Sequence, residues 1–229
     1  MNLQLLNING ETILIICLYG KNRSENVTAW SKKIMVDHWN LPVNYLECPF
    51  PGVSHGQMMN YVISQTIDSI KPDYYLWIDN DALFLREDAM DFIYSMIKNK
   101  ITVFGHAWMS NHKFTDRGVV NAYASQATLA YSTKLFNQLG RPDCDHFIPR
   151  SDTSEEITYK AKELGFCVSL LYPNYVVDPN TPLDSSCFLG FGNFYGQNMM
   201  FHCSQCPNPK HEELFIETCK RVLAGEFEG

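Results

Sequence analysis

The sequence contains no apolar run of about eighteen residues, the length that a membrane-spanning helix requires. The apolar segment at residues 13–18 is too short to span a membrane and lacks the basic flank of a signal peptide. An excess of basic residues is also missing, since 18 Lys and Arg stand against 25 Asp and Glu. Proteins that coat nucleic acid need such an excess to neutralise phosphates. We therefore expect a cytoplasmic protein without a membrane span, whose main partner is not nucleic acid.

Internal repeats and low-complexity segments are absent as well, which argues against a repeat architecture. The 229 residues, 45% of them hydrophobic, are enough for one well-filled core and too few for two ordinary domains. The eight cysteines are scattered, and Cys17 and Cys167 lie in apolar runs. Without a secretion signal, we expect reduced and buried thiols.

The most informative stretch is residues 74–81, where five apolar or aromatic residues precede Asp79-Asn80-Asp81. Such a run predicts a buried strand, and ligands of open α/β sheets bind at the carboxyl ends of the strands. Because neighbouring residues of a strand point to opposite faces, Asp79 and Asp81 point the same way and can share a divalent ion. The alternative is a turn in which both carboxylates bind loop amides.

Strand and helix patterns alternate along the chain up to and including this stretch. The predicted strands are residues 12–18, 43–48 and 74–78, and the predicted helices between them are residues 26–39 and 54–70. This order predicts an α/β fold with a mostly parallel central sheet flanked by helices. We expect two halves, residues 1–105 and residues 106–229, of which the second begins with a long loop at residues 106–125.

Acidic residues open the helix predicted for residues 153–165. Asp152, Glu155 and Glu156 lie at its start, where acids complement the helix dipole. Thr153 and Glu156 also have the spacing of a capping box. These acids are therefore candidates for catalysis and for helix capping alike.

The Asp-x-Asp strand end, the acidic helix start and the order of elements together resemble the GT-A fold, metal-dependent glycosyltransferases. The resemblance covers roughly residues 12–202. It implies that Mn²⁺ or Mg²⁺ binds the diphosphate of a nucleotide sugar, with Asp81 as the main ligand and Asp79 as its partner. It also implies a third ligand, for which His202 is in about the right place, whereas Asp178 and His211 are weaker candidates.

The same resemblance implies a general base at the acidic helix start. Asp152 and Glu155 are the leading candidates, and Glu156 is assigned to capping. If none of the three is a base, a retaining mechanism becomes the better expectation.

The resemblance places the nucleotide, most simply UDP, at the loop after the first strand. Tyr19 could stack on the base, Asn22 or Arg23 could reach its polar edges or a phosphate, and His55 could face the donor. Each could equally be an ordinary loop residue. Aromatic and histidine side chains at residues 106–125 suit a hydroxyl acceptor, although core packing explains them as well. They are His106, Trp108, His112 and Tyr123.

The resemblance therefore implies a hexosyl- or pentosyltransferase, with a nucleotide-sugar-binding half at residues 1–105 and an acceptor half at residues 106–229. Its acceptor stays open: a lipid-linked or free glycan, a protein, a small molecule, or a hydroxymethylated DNA base if the protein is virus-encoded. Alternatives are a nucleotidyltransferase, although a Gly-rich phosphate loop is lacking, and an inactive nucleotide-sugar or glycan binder. A zinc site is a separate possibility. Its ligands would be Cys203, Cys206, His211 and Cys219.

Overall fold

A computed structural model describes residues 2–20, 25–48, 53–109, 122–145, 152–177, 192–203 and 208–227. The strands are β1 (Leu6–Ile8), β2 (Glu11–Gly20), β3 (Asn44–Cys48), β4 (Tyr74–Asp79), β5 (Ala82–Phe84), β6 (Thr102–Met109), β7 (Ala122–Ser132), β8 (Cys167–Leu171), β9 (Pro173–Val177), β10 (Gly192–Tyr195) and β11 (Met200–Cys203). The helices are α1 (Glu25–Lys32), which continues as a π-helical segment (Lys33–His38), α2 (His55–Thr66), α3 (Ala89–Ile97), α4 (Thr133–Gln138), α5 (Glu155–Glu163) and α6 (Pro209–Leu223).

The central sheet has seven strands in the order β1-β2-β4-β7-β6-β8, and β3 also pairs with β2. Strands β2, β3, β4, β6 and β8 run in one direction, while β1 and β7 run in the other. Helices pack on both faces. The predicted class, an α/β fold with a mostly parallel sheet flanked by helices, is confirmed. The predicted division into two halves stays a prediction, and β6 runs across its boundary.

The core explains why β4 is apolar on both sides. Tyr74, Leu76 and Ile78 pack in the cluster that contains residues of α1, α3 and α6, whereas Tyr75 and Trp77 pack in the cluster of α2, α4 and α5. All five side chains are buried. A strand covered by helices on both faces has no polar face, so its sequence is a continuous apolar run.

A second, antiparallel sheet has the order β5-β11-β10-β9. One face packs on α6 through Phe201 and Phe215, which lie in the same core cluster. Side chains of a strand alternate, so the neighbouring His202 lies on the opposite face. The second sheet begins directly after the Asp79-Asn80-Asp81 triplet, because β5 starts at Ala82.

The prediction of a loop at residues 106–125 is wrong at both ends. Strand β6 continues to Met109 and β7 begins at Ala122, and residues 110–121 lie outside the described ranges. The register between the two strands shifts between Gly105 and His106, which breaks the alternation that identifies strands in a sequence.

Five of the cysteines are buried free thiols, namely Cys17, Cys48, Cys144, Cys203 and Cys219. Cys167 is exposed, contrary to expectation, because it begins the edge strand β8. In the described ranges, no helix has both the length and the apolar character that crossing a membrane requires.

Candidate metal and donor site

Two carboxylates and one imidazole converge where β4 ends. Asp79, Asp81 and His202 each offer one ligand atom, and these atoms all lie within 4.8 Å of one another. His202 Nε2 is 3.5 Å from Asp81 Oδ1. The pairing of β5 with β11 produces this contact, because it sets His202 opposite Ala82 and lets the Cys203 amide donate to the Asp81 carbonyl.

Asn80 lies in the turn between β4 and β5, and its side chain bonds to α1 rather than to the two acids. It is buried, and its side-chain amide donates to Thr28 Oγ1 of α1 over 3.0 Å. This bond anchors the centre of the triplet to the helix, so that the carboxylates of Asp79 and Asp81 are left on the other side. Asp79 and Asp81 therefore converge as expected, although Asp81 lies in the turn after the strand, and their role as metal ligands stays a prediction.

The donor set suits a hard divalent cation. Carboxylate oxygens are the ligands that Mg²⁺ and Mn²⁺ prefer, and an imidazole nitrogen is also acceptable to Mn²⁺. Asp81 and His202 are nearly inaccessible to solvent, while Asp79 is more exposed. The second ring nitrogen of His202, Nδ1, is buried without a hydrogen-bond partner among the described residues. The three side chains thus fit a bound divalent ion.

Asp79 also faces a small cavity. His55, the first residue of α2, lies with Nδ1 3.9 Å from Asp79 Oδ1. Ser54 caps α2 in a capping box with Gln57, which holds the helix start beside the end of β4. The cavity is lined by Leu18, His55, Met59, Trp77, Ile78, Asp79 and Gln126. His55 is therefore close to Asp79, and its predicted contact with the donor stays a prediction.

Gln126 is a residue that the sequence analysis missed. It lies on β7, and its buried Oε1 has no hydrogen-bond partner among the described residues. Nothing in the local pattern distinguishes Gln126, because its position beside Asp79 depends on the register of β7.

A cleft of about 320 Å³ lies where β2 ends and α1 begins. Its lining consists of Tyr19, Gly20, Glu25, Thr28, Ala29, Lys32 and Glu47. Tyr19 therefore lies at an open cleft, where partial burial raises the pKa of its hydroxyl. Thr28 connects this cleft to the triplet, since it also accepts the bond from Asn80. Asn22 and Arg23 lie outside the described residues, so their predicted contacts are not placed.

Glu155 braces the start of α5. It is fully buried, and its carboxylate accepts hydrogen bonds from the Asp152 amide at 2.6 Å and from the Tyr159 hydroxyl. The N-cap of α5 is Ser154, in a left-handed conformation with φ of 64°. The predicted capping box of Thr153 and Glu156 is therefore wrong, because the N-cap is Ser154 and the Thr153 amide donates to the Asp152 carboxylate.

Asp152 and Glu156 are less buried than Glu155. The carboxylate of Asp152 accepts from the Tyr123 hydroxyl at 3.0 Å and from the Thr153 amide at 2.8 Å. Tyr123 is itself buried, so it serves to hold Asp152. Whether any of the three acids acts as a base stays a prediction.

His106 and Trp108 lie on β6 beside His202. The ring of His106 is fully buried and stacks on Tyr195, with centroids 3.8 Å apart and planes at 7°. The Trp108 ring centroid is 5.8 Å from that of His202. Burial, followed by the charge of His202, holds the pKa of His106 well below its usual range. His112 lies outside the described residues.

The zinc hypothesis gains no support from its described members. Cys203 Sγ donates to the backbone carbonyl of His211 at 3.2 Å. In the part of the chain that the structure describes, Asp79, Asp81 and His202 are the only group of three or more potential ligands close enough to hold an ion. Cys203, His211 and Cys219 do not form such a group, while Cys206 and Asp178 lie outside the described ranges.

No family model and no curated protein sequence matches the chain. Some solved structures have a similar course of the chain. One is galactosyltransferase LgtC in complex with donor and acceptor sugar analogs. It has 12% sequence identity and a TM-score of 0.47, and the match covers 90% of this chain and 95% of LgtC. A glycosyltransferase involved in the glycosylation of the major capsid of PBCV-1 has 15% identity and a TM-score of 0.46, covering 89% and 98%. A197 from STIV has 10% identity and a TM-score of 0.43, covering 67% and 79%.

Two of these three are glycosyltransferases. That is the class of protein that the sequence resembles. At these identities and TM-scores, the similarities carry no argument about activity, substrate or metal.

Proposed function

We propose that the chain is a GT-A type glycosyltransferase that moves a sugar from a nucleotide-sugar donor, most simply a UDP-sugar, to a hydroxyl acceptor. Asp79, Asp81 and His202 would hold Mn²⁺ or Mg²⁺. The observation that carries the proposal is the convergence of these three ligand atoms within 4.8 Å at the end of β4. Two acids alone would also fit a turn, whereas a buried histidine brought from a different sheet has no role in such a turn.

Different members of the triad have different environments, which supports different roles. Asp81 and His202 are buried and fixed by the β5–β11 pairing, so they would form the rigid part of the site. Asp79 faces the cavity with His55 and Gln126, so it would also contact the donor. When bound, the ion would neutralise the charge that develops on the departing nucleoside diphosphate.

The cleft beside Tyr19 would receive the nucleoside. It opens at the carboxyl end of β2 and connects to the triplet through Thr28 and Asn80, so a nucleotide there would extend its phosphates toward Asp79 and Asp81. Tyr19 would stack on the base. Asn22 and Arg23 remain candidates for its polar edges and for phosphate.

The acids at α5 would supply the base for an inverting reaction. Glu155 already accepts two hydrogen bonds in a fully buried position, so we place Asp152 and Glu156 ahead of it. If neither Asp152 nor Glu156 acts as a base, a retaining mechanism becomes the better expectation. The acceptor would be a hydroxyl of a glycan, with a hydroxymethylated DNA base as a second possibility.

The test is release of sugar from a panel of nucleotide sugars in the presence of Mn²⁺, Mg²⁺ or EDTA. We expect release with at least one donor, and only with metal. Asp81→Ala should lower the rate by more than about 100-fold, since metal stabilisation of the leaving group contributes several kcal/mol. Asp68→Ala is the matched control, because Asp68 is an exposed aspartate in a surface ion pair with Arg141.

Three results would contradict the proposal. Full activity of a folded Asp81→Ala protein would remove the metal site from the mechanism. Formation of a nucleotide sugar from a nucleoside triphosphate and a sugar phosphate would indicate a nucleotidyltransferase. Tight nucleotide binding without sugar release, whatever the acceptor, would indicate a binding protein.

A further inference from the structure

Buried polar atoms without partners are concentrated behind the metal triad. Among the described residues, both ring nitrogens of His106, the Tyr195 hydroxyl and His202 Nδ1 are buried and make no hydrogen bond. The three rings are neighbours, since the centroid of His106 is 3.8 Å from that of Tyr195 and 6.3 Å from that of His202. Orphaned buried polar atoms are uncommon in native proteins, so the neighbouring ring nitrogens of His106 and His202 call for an explanation.

The chemistry of His202 defines what its neighbour has to supply. Nε2 faces Asp81, so Nε2 is the nitrogen that would bind the ion. A histidine that binds a metal through Nε2 carries its proton on Nδ1, and that N–H normally donates to an acceptor which fixes the ring. Nδ1 of His202 has no such acceptor among the described residues. The nearby imidazole of His106, when neutral, has a nitrogen lone pair that can accept a hydrogen bond from this N–H.

The shape of β6 places His106 for this task. The register shift between Gly105 and His106 sets His106 opposite Ser125, whereas Gly105 is opposite Leu129. A shift of this kind changes the direction of the side chains that follow it, and such shifts recur next to active sites. Tyr195 then stacks on the His106 ring at 7°, which restricts the rotation of the imidazole.

We propose that His106 is a positioning residue of the metal site: one of its ring nitrogens accepts a hydrogen bond from the Nδ1–H of His202, directly or through one water, and so holds Nε2 toward Asp81. Tyr195 contributes the stacking surface for His106, and its hydroxyl is dispensable for this role. The proposal rests on the proposed metal site and adds to it a residue that does not touch the ion.

The test is the affinity of the purified protein for Mn²⁺ alone, measured by the electron paramagnetic resonance of free Mn²⁺. His106→Phe keeps an aromatic ring on Tyr195 but has no acceptor, and it should weaken Mn²⁺ binding by about 10- to 100-fold. His106→Gln keeps an acceptor and should fall between wild type and His106→Phe. Tyr195→Phe is the matched control from the same cluster, and its Mn²⁺ affinity should stay within about 2-fold of wild type. Circular dichroism checks that each variant is folded.

A second measurement needs no substitution at His106. In ¹⁵N-histidine NMR of the Mg²⁺-loaded wild-type protein, His202 should be protonated on Nδ1 only. A deprotonated Nδ1 in the loaded protein overturns the proposal, even if the His106 variants fail to fold.

The outcomes separate this inference from the proposed function. If wild type binds Mn²⁺ and folded His106→Phe binds it equally well, the positioning role is wrong and the metal site stands. If wild type itself binds no Mn²⁺, the metal site fails and the role of His106 fails with it. Equal losses in His106→Phe and Tyr195→Phe would indicate a general packing defect and would also overturn the proposal.

Discussion

At the scale of single residues, the acids at the start of α5 differ in burial and in the hydrogen bonds that they accept. Glu155 looks like a catalytic acid in the sequence, yet its carboxylate is inaccessible and satisfies an amide and a hydroxyl of its own helix start. Asp152 is partly exposed, although Tyr123 holds one of its oxygens. A buried acid with two donors is better explained by helix stability than by proton transfer.

We predict that Glu155→Ala destabilises the protein by about 1–3 kcal/mol, because it leaves a buried amide and a buried hydroxyl without their acceptor. Urea unfolding followed by circular dichroism measures this loss. Glu87→Ala, at an exposed glutamate, is the control and should change the free energy of unfolding by less than about 0.5 kcal/mol. If Glu155→Ala retains full stability and loses only catalysis, Glu155 is a base and the structural assignment fails.

Residue types and spacing were sufficient to predict a triplet of acids at a strand end, whereas His202 was expected as its partner from the family resemblance. An apolar run followed by Asp79 and Asp81 identifies the end of a buried strand, and His202 follows its own apolar run. Gln126 and Tyr195 could not be predicted in the same way. Their positions depend on strand register and on pairing across the chain, which leave no local mark in the sequence.

At the scale of elements, the irregularity between β6 and β7 connects the fold to the site. Gly105 lies at the register shift, and a Cβ there would be 2.7 Å from Ala124 Cβ and 2.8 Å from the Thr128 carbonyl oxygen. These atoms belong to the strand with the extra residues, one of which is Gln126. A glycine is required because the two backbones approach too closely for any side chain.

Gly105→Ala should therefore destabilise the protein by about 1–3 kcal/mol, as overpacking of a rigid site does. Thermal and urea unfolding give the magnitude. Gly20→Ala is the control, because a Cβ at Gly20 meets nothing within 4 Å and its backbone is not in the left-handed region. Equal stability of the two variants would show that the strands can separate without cost and that the register shift is loosely held.

The elements that could be predicted are those with long, regular patterns. Strands β2 and β4 are continuous apolar runs, and α2 has the spacing of one buried face. The second sheet was missed because its strands have only three to five residues and pair across long separations in the sequence. Strands were predicted at residues 101–105 and 127–131, but the parts of β6 and β7 that lie closer to residues 110–121 were missed, because the register shift interrupts their alternation.

At the scale of the whole molecule, the two ends of the central sheet have different tasks. The carboxyl ends of β2 and β4 lead to the candidate site, whereas the start of β2 is held by a cluster around Glu11. The Glu11 carboxylate pairs with Lys100 Nζ at 2.5 Å and accepts from the hydroxyls of Tyr94 at 2.7 Å and Tyr74 at 2.8 Å. This cluster joins β2, β4 and α3 far from the triplet, so it serves stability.

The cluster predicts a pH dependence of stability. Bonds from Lys100 and then Tyr94 lower the pKa of Glu11 from 4.5 to about 2. A carboxyl whose pKa is lower in the folded state contributes stability above the unfolded value of 4.5, and that contribution is lost as the pH falls toward 2. Glu11→Gln should therefore be less stable than wild type at pH 7, with the difference shrinking between about pH 4.5 and 2.

Unfolding by urea across this pH range measures the effect. Glu87→Gln, at an exposed glutamate, should follow the pH profile of wild type throughout. A constant difference between Glu11→Gln and wild type at all pH values would contradict the assigned role of the Glu11 carboxylate.

The central claim concerns the whole molecule: a divalent ion bound by Asp79, Asp81 and His202 activates a nucleotide sugar. The most direct measurement is the rate of sugar release from the best donor with Mn²⁺, compared between wild type, Asp81→Ala and Asp68→Ala. The account predicts that Asp68→Ala equals wild type and that Asp81→Ala, although folded, is slower by more than about 100-fold. Equal rates in all three proteins, or release that EDTA does not abolish, would contradict it.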